Sequence, residues 1–102
     1  MIYVVATIEL APGKREEFLA AFKQLMPKVL AEEGCLEYAP AIDEKTSIPV
    51  QPEAREDVVV VMEKWESVAA LETHLMAPHM NEYRSQVKSM VNETRIQVLR
   101  PA

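Results

Sequence analysis

The chain has 102 residues, enough for one domain and too few for two, so residues 1–102 are expected to fold as a single unit. Apolar residues make up 49% and charged residues 26%, a globular balance that a disordered chain does not have. The net charge of −5, from 11 basic and 16 acidic side chains, argues against nucleic acid or an anionic membrane as partner, because both select clustered Lys and Arg.

Ile2 to Leu10 alternates as a strand, with Ile2, Val4, Ala6, Ile8 and Leu10 on one face and Tyr3, Val5, Thr7 and Glu9 on the other. No basic residue leads this apolar start, so no secretory leader is expected. Ala11-Pro12-Gly13 breaks the strand. From Lys14 to Glu33 the period becomes helical, with Phe18, Leu19, Phe22, Leu25, Met26, Val29 and Leu30 in one stripe. Glu16 and Glu17 fall in its first turn, where the helix dipole favours acids. Pro27 removes one ladder hydrogen bond and predicts a kink, and Gly34 suits the helix end.

Cys35 to Ile42 reads as a second strand. Asp43 to Glu56, with Pro49 and Pro52 and no period, is a long loop and a candidate lid or partner contact. Asp57 to Glu66 is the strongest strand, because Val58-Val59-Val60-Val61-Met62 is apolar on both faces. This is also the longest apolar run, far too short to span a bilayer. Ser67 suits the cap of a helix carrying Val68, Leu71 and Leu75. Pro78 interrupts, as a first-turn residue of a following helical stripe through Met80, Tyr83 and Val87. Glu93 to Arg100 closes the chain as a strand. The order strand, helix, strand, strand, helix, strand is the ferredoxin-like βαββαβ unit, an α+β fold with a four-stranded antiparallel sheet and its helices on one face.

The other face then has no cover within the chain. Val58 to Met62 nevertheless has the pattern of a strand buried on both sides. An exposed apolar sheet is unusual on a soluble monomer, so a homodimer of stacked sheets is expected.

Chemistry-bearing residues are few. With Cys35 alone no internal disulfide forms, and a reducing cytoplasm is the default compartment. Two histidines and one cysteine make no zinc site without a carboxylate, and two glycines make no phosphate loop. Glu63 and Trp65, two apart on a strand, point the same way. If Val59, Val61, Glu63 and Trp65 face the helices, an acid and an indole line the gap beneath them. His74 lies on the following helix, His79 just after the Ala77-Pro78 break, and Tyr38 on the second strand.

The run from Glu63-Lys64-Trp65-Glu66-Ser67 to His74-Leu75-Met76-Ala77-Pro78-His79 resembles the signature of the antibiotic biosynthesis monooxygenase family. So do Pro12-Gly13-Lys14 with Phe18, and Glu33-Gly34-Cys35-Leu36-Glu37-Tyr38. The resemblance covers nearly the whole chain. It implies a dimeric α+β barrel and oxidation of quinols or polycyclic phenols by O2 without a cofactor or metal. Relatives that degrade haem use an Asn on the first strand, where this chain has Ala6-Thr7.

Oxidation of a quinol without a cofactor needs the substrate to lose a proton before it gives an electron to O2. A neutral imidazole is suited to take that proton, which makes His74 the candidate base. Trp65 is the candidate to stack on the aromatic ring, and Glu63 to orient a His or bind a substrate hydroxyl. Tyr38, His79, Met76, Tyr83 and Arg55 are candidate substrate contacts, Arg55 from the loop. Two alternatives stand beside this reading. One is a non-catalytic dimeric module that binds small aromatic compounds. The other is an isomerase of a small phosphorylated hydroxyketone, for which only Arg55, Arg84 and Lys88 offer positive charge.

Overall fold

The computed structural model describes residues 1–102 in full. Four strands, β1 (Ile2–Leu10), β2 (Cys35–Ala41), β3 (Val58–Trp65) and β4 (Val91–Leu99), form one antiparallel sheet in the order β2-β3-β1-β4. Three helices, α1 (Arg15–Leu30), α2 (Val68–Leu75) and α3 (Pro78–Val87), complete the ferredoxin-like unit. The second helical segment is thus two short helices. Ala77 is extended and Pro78 opens α3, because a residue before proline is driven out of the helical region. No helix is long and apolar enough to cross a membrane.

The alternation of β1 decides which face is covered. Val4, Ala6, Ile8 and Leu10 are buried beneath the helices, as are Val59, Val61, Glu63 and Trp65 of β3. Phe18, Phe22, Leu25 and Val29 of α1 close this core from above. Ala21 joins them and Leu30 is left exposed, so the buried stripe is rotated slightly from the expected one. Pro27 lacks its ladder donor, yet α1 continues to Leu30.

The helices do not shelter the whole sheet. Almost every residue of β4 is exposed, including Ile96 and Val98, which pair with Ala6 and Val4. On the far face Val5, Met62 and Ala39 lie side by side across three strands, and Met62 is 47% exposed. Ionic contacts frame this apolar strip. Lys64 sits over the Tyr3 ring and beside Glu37 at one end, and Arg95 pairs with Glu9 and Glu93 at the other.

The 42–57 loop is closed at its base. Arg55 donates from Nε and Nη2 to the Asp43 carboxylate at 2.8 and 2.9 Å, and its own carbonyl accepts from Arg15 at 3.0 Å. The guanidinium holds the Asp43 carboxyl down at about 2. Ile48 and Val50 are exposed at the far end of this loop.

Two local features aim the later site residues. Ser67 Oγ accepts from the Ala70 amide at 3.1 Å and starts α2, the helix that carries His74. Ser67→Ala is therefore expected to cost about 1 kcal/mol in a urea titration. Gly34 has φ +85°, and a Cβ there would stand 2.7 Å from the Ala70 Cβ. Only glycine combines this conformation with this approach, so the turn after α1 lies directly against α2. His74 is one helical turn beyond Ala70, on the same side of α2.

Candidate active site

A cavity of about 430 Å³ opens between the sheet and α3, walled mainly by apolar side chains such as Ala6, Ile8, Val61, Met80, Val87 and Ile96. Its buried polar groups are Glu63, His74, Tyr38 and Tyr83. Its border carries Arg84, Lys88 and Thr94, all exposed. The cavity thus combines apolar walls with an acid, an imidazole and two phenols, and its cations lie at the exposed border.

Each buried group has a physical reason for its state. Glu63 is 9% exposed, and its Oε1 accepts from the Trp65 indole at 2.9 Å. Burial pushes its carboxyl up to about 7, against the pull of that hydrogen bond and helped by the charge of Glu32. Near neutral pH it both donates and accepts. Burial also raises Tyr38 and Tyr83, so both remain phenols and hydrogen-bond donors. Tyr38 stacks on Phe22 with centroids 5.2 Å apart and meets the His74 ring edge-on at 5.4 Å.

His74 is 1% exposed, in tilted contact with Trp65 at 4.6 Å between centroids. Burial lowers its pKa, against the raising effect of Glu32, so the imidazole is neutral at pH 7. Its Nδ1 lies 2.8 Å from Glu32 Oε2. As an N–H donor there, it leaves Nε2 as the free nitrogen of a ring that lines the cavity. Glu32 Oε2 also lies 2.8 Å from His79 Nε2, so one carboxylate oxygen serves both histidines.

Several sequence expectations need correction. The partner that orients His74 is Glu32, not Glu63, whose contact is the Trp65 indole. Trp65 is fully buried and does not line the cavity, so it backs His74 rather than offering a face to a ligand. His79 shares the Glu32 oxygen with His74 and does not line the cavity. Met76 is 74% exposed, because it falls on the connector between α2 and α3, where neither helix turns it inward. Arg55 is held by Asp43 at the base of its loop and does not reach the cavity. Tyr38, Tyr83, Glu63 and His74 do converge on it.

Of the three cations open to a phosphate, Arg84 is spent on the Leu75 carbonyl and the Asn81 amide oxygen, and Arg55 is on Asp43. Only Lys88 remains near the cavity. Cys35 is half-buried, and burial with the charges of Glu32 and Glu63 raises its thiol to about 11, so it is no nucleophile at neutral pH.

Fold and cavity together define a ferredoxin-like protein with an enclosed acid and imidazole. The chain belongs to the family described as antibiotic biosynthesis monooxygenase, whose model matches residues 1–86. It is 43% identical over 103 residues to the Escherichia coli protein named "Probable quinol monooxygenase YgiN", a match covering 99% of this chain and 98% of that one. Among solved structures it is similar to a conserved protein from Methanosarcina mazei, with a TM-score of 0.82, 25% identity, and 99% and 92% of the two chains covered. PA3566 from Pseudomonas aeruginosa gives a TM-score of 0.78 and 26% identity, covering 99% of this chain and 94% of that one.

Proposed function

We propose that this protein is a cofactor-independent monooxygenase that oxidises a quinol or small phenol with O2. The observation that carries the reading is a neutral imidazole, held by a carboxylate, in the wall of an apolar cavity. The quinol ring occupies the apolar slot and presents one hydroxyl to His74 Nε2. His74 takes that proton, and the charge it acquires is stabilised by Glu32 through Nδ1. Glu63 and Tyr38 hydrogen-bond the other substrate oxygens. The apolar walls exclude water, which keeps the anion weakly solvated and readily oxidised. The substrate supplies all four electrons, one oxygen atom enters the ring to give a hydroxyquinone, and the other leaves as water.

An oxygen electrode tests this with a hydroquinone in chelator-treated buffer. Consumption of one O2 per quinol, with label from 18O2 in the product, supports it. Saturable binding without O2 consumption would instead favour a binding module.

The reading includes a homodimer in which the strip of Val5, Thr7, Val60, Met62 and Ala39 meets its copy. The contact is apolar in the middle and ionic at its ends, as stable interfaces are. Sedimentation is expected to give twice the chain mass of 11.5 kDa, and Met62→Glu a monomer. A wild-type monomer at micromolar concentration would overturn the dimer.

A further inference from the structure

The shared oxygen of Glu32 has a second use. Glu32 Oε2, His74 Nδ1 and His79 Nε2 all lie within 4.8 Å of one another. They come from three separate elements: the turn after α1, the end of α2 and the start of α3. Two imidazole nitrogens with one carboxylate oxygen suit borderline divalent transition metals rather than Mg2+ or Ca2+, which prefer oxygen. Three protein donors leave a fourth position for water. The side chains of Glu32 and His79 are 13% and 22% exposed, so an ion reaches the cluster from the surface without crossing the cavity.

We propose that Glu32, His74 and His79 form a binding site for a divalent metal ion of the Zn2+ class, and that its occupation disables His74 as a base. Bonds of about 2.1 Å around a tetrahedral ion put the donors about 3.4 Å apart. The two contacts of 2.8 Å must therefore open by about 0.6 Å, a movement within the reach of side-chain rotation. No proton is released from a neutral imidazole in this exchange. The hydrogen on His74 Nδ1 is replaced by the metal, and the ring takes its other tautomer, with the proton on Nε2. Nε2, the nitrogen not bonded to the metal, then donates where it had accepted. The effect on turnover rests on His74 acting as the base, while the metal site itself does not.

Co2+ added to tag-free, chelator-treated protein is the probe, since its visible absorption reports tetrahedral nitrogen and oxygen ligands directly. The expected result is one Co2+ per chain, displaced by Zn2+, with affinity reduced at least about tenfold in both His79→Ala and Glu32→Gln. His79 is partly exposed, and far-UV circular dichroism verifies that each variant is folded. Absence of the bands with excess Co2+, or unchanged affinity in the folded variants, overturns the site. In the oxygen electrode, saturating Zn2+ is expected to slow the wild type at least about tenfold, and to leave His79→Ala at its own metal-free rate. Wild-type turnover undiminished with the site filled overturns the link to His74. Binding is read without substrate, so failure of quinol oxidation leaves the metal site standing, and a colourless titration removes it whatever the enzyme does.

Discussion

His74→Ala is expected to lower kcat for quinol oxidation by about 10²- to 10⁴-fold, the usual contribution of a positioned general base. KM should change far less, because the apolar walls that hold the ring are untouched. The argument rests on position and on state. The ring is neutral through burial, and Glu32 fixes its Nδ1. A proton taken at Nε2 therefore meets a carboxylate already hydrogen-bonded to the far side of the ring. The variant leaves a hole of imidazole size beside Trp65, so added imidazole should restore part of the rate. The measurement is steady-state O2 consumption by wild type and variant, with folding checked by circular dichroism. A variant with wild-type kcat would remove His74 from the chemistry and leave Glu63 as the remaining candidate base.

The sequence carried the architecture because period and face are local properties. The alternation of Ile2 to Leu10 and the pairing of Glu63 with Trp65 on one face need no knowledge of distant residues, and both hold in the structure. Tyr83 and Glu63 lie on the inward stripes of their own elements, while Tyr38 and His74, which the periodicity alone does not assign to a face, are buried as well. Glu32 was not legible. It stands 42 residues from His74 in a turn without period. Two residues on, Gly34 approaches Ala70 of α2, a tertiary contact that no local pattern announces. The faint signal was an acid two residues before a glycine in a helix-ending turn. Met76 failed for the converse reason. The helix containing Leu71 and Leu75 stops one residue before it, and on the connector no helical period assigns a face. Arg55 was ambiguous because its loop has no pattern, and Asp43 twelve residues earlier settles its place.

The division of labour between two acids follows from these contacts. Glu32, reaching in from a turn at the edge, keeps two imidazoles in register. Glu63, rising from the middle of the sheet, holds Trp65, and Trp65 in turn backs His74. His74 is thereby fixed on one side by hydrogen bonding and on another by an aromatic surface. Both supports come from elements that do not carry it.

Glu63→Gln is expected to abolish a pH dependence of stability that the wild type carries. The Glu63 carboxyl is raised from 4.5 to about 7 in the folded chain. The folded state therefore holds this proton more tightly than the unfolded state. The stabilisation is complete below the unfolded value of about 4.5 and is lost as pH rises through about 7. The gap, at about 1.4 kcal/mol per pH unit, corresponds to about 3 kcal/mol in full. Glutamine is close in shape to the protonated acid. Its amide oxygen still accepts from the Trp65 indole, and its NH2 still donates into the cavity. Urea titrations across this range should show the wild type losing stability with rising pH relative to the variant, which becomes the more stable of the two above pH 7. Parallel profiles for the two proteins would mean that the buried carboxyl is not strained when ionised. The same variant addresses the chemistry. If Glu63 serves as the neutral donor to a substrate hydroxyl, turnover survives within about tenfold, because the amide makes the same hydrogen bond without a charge.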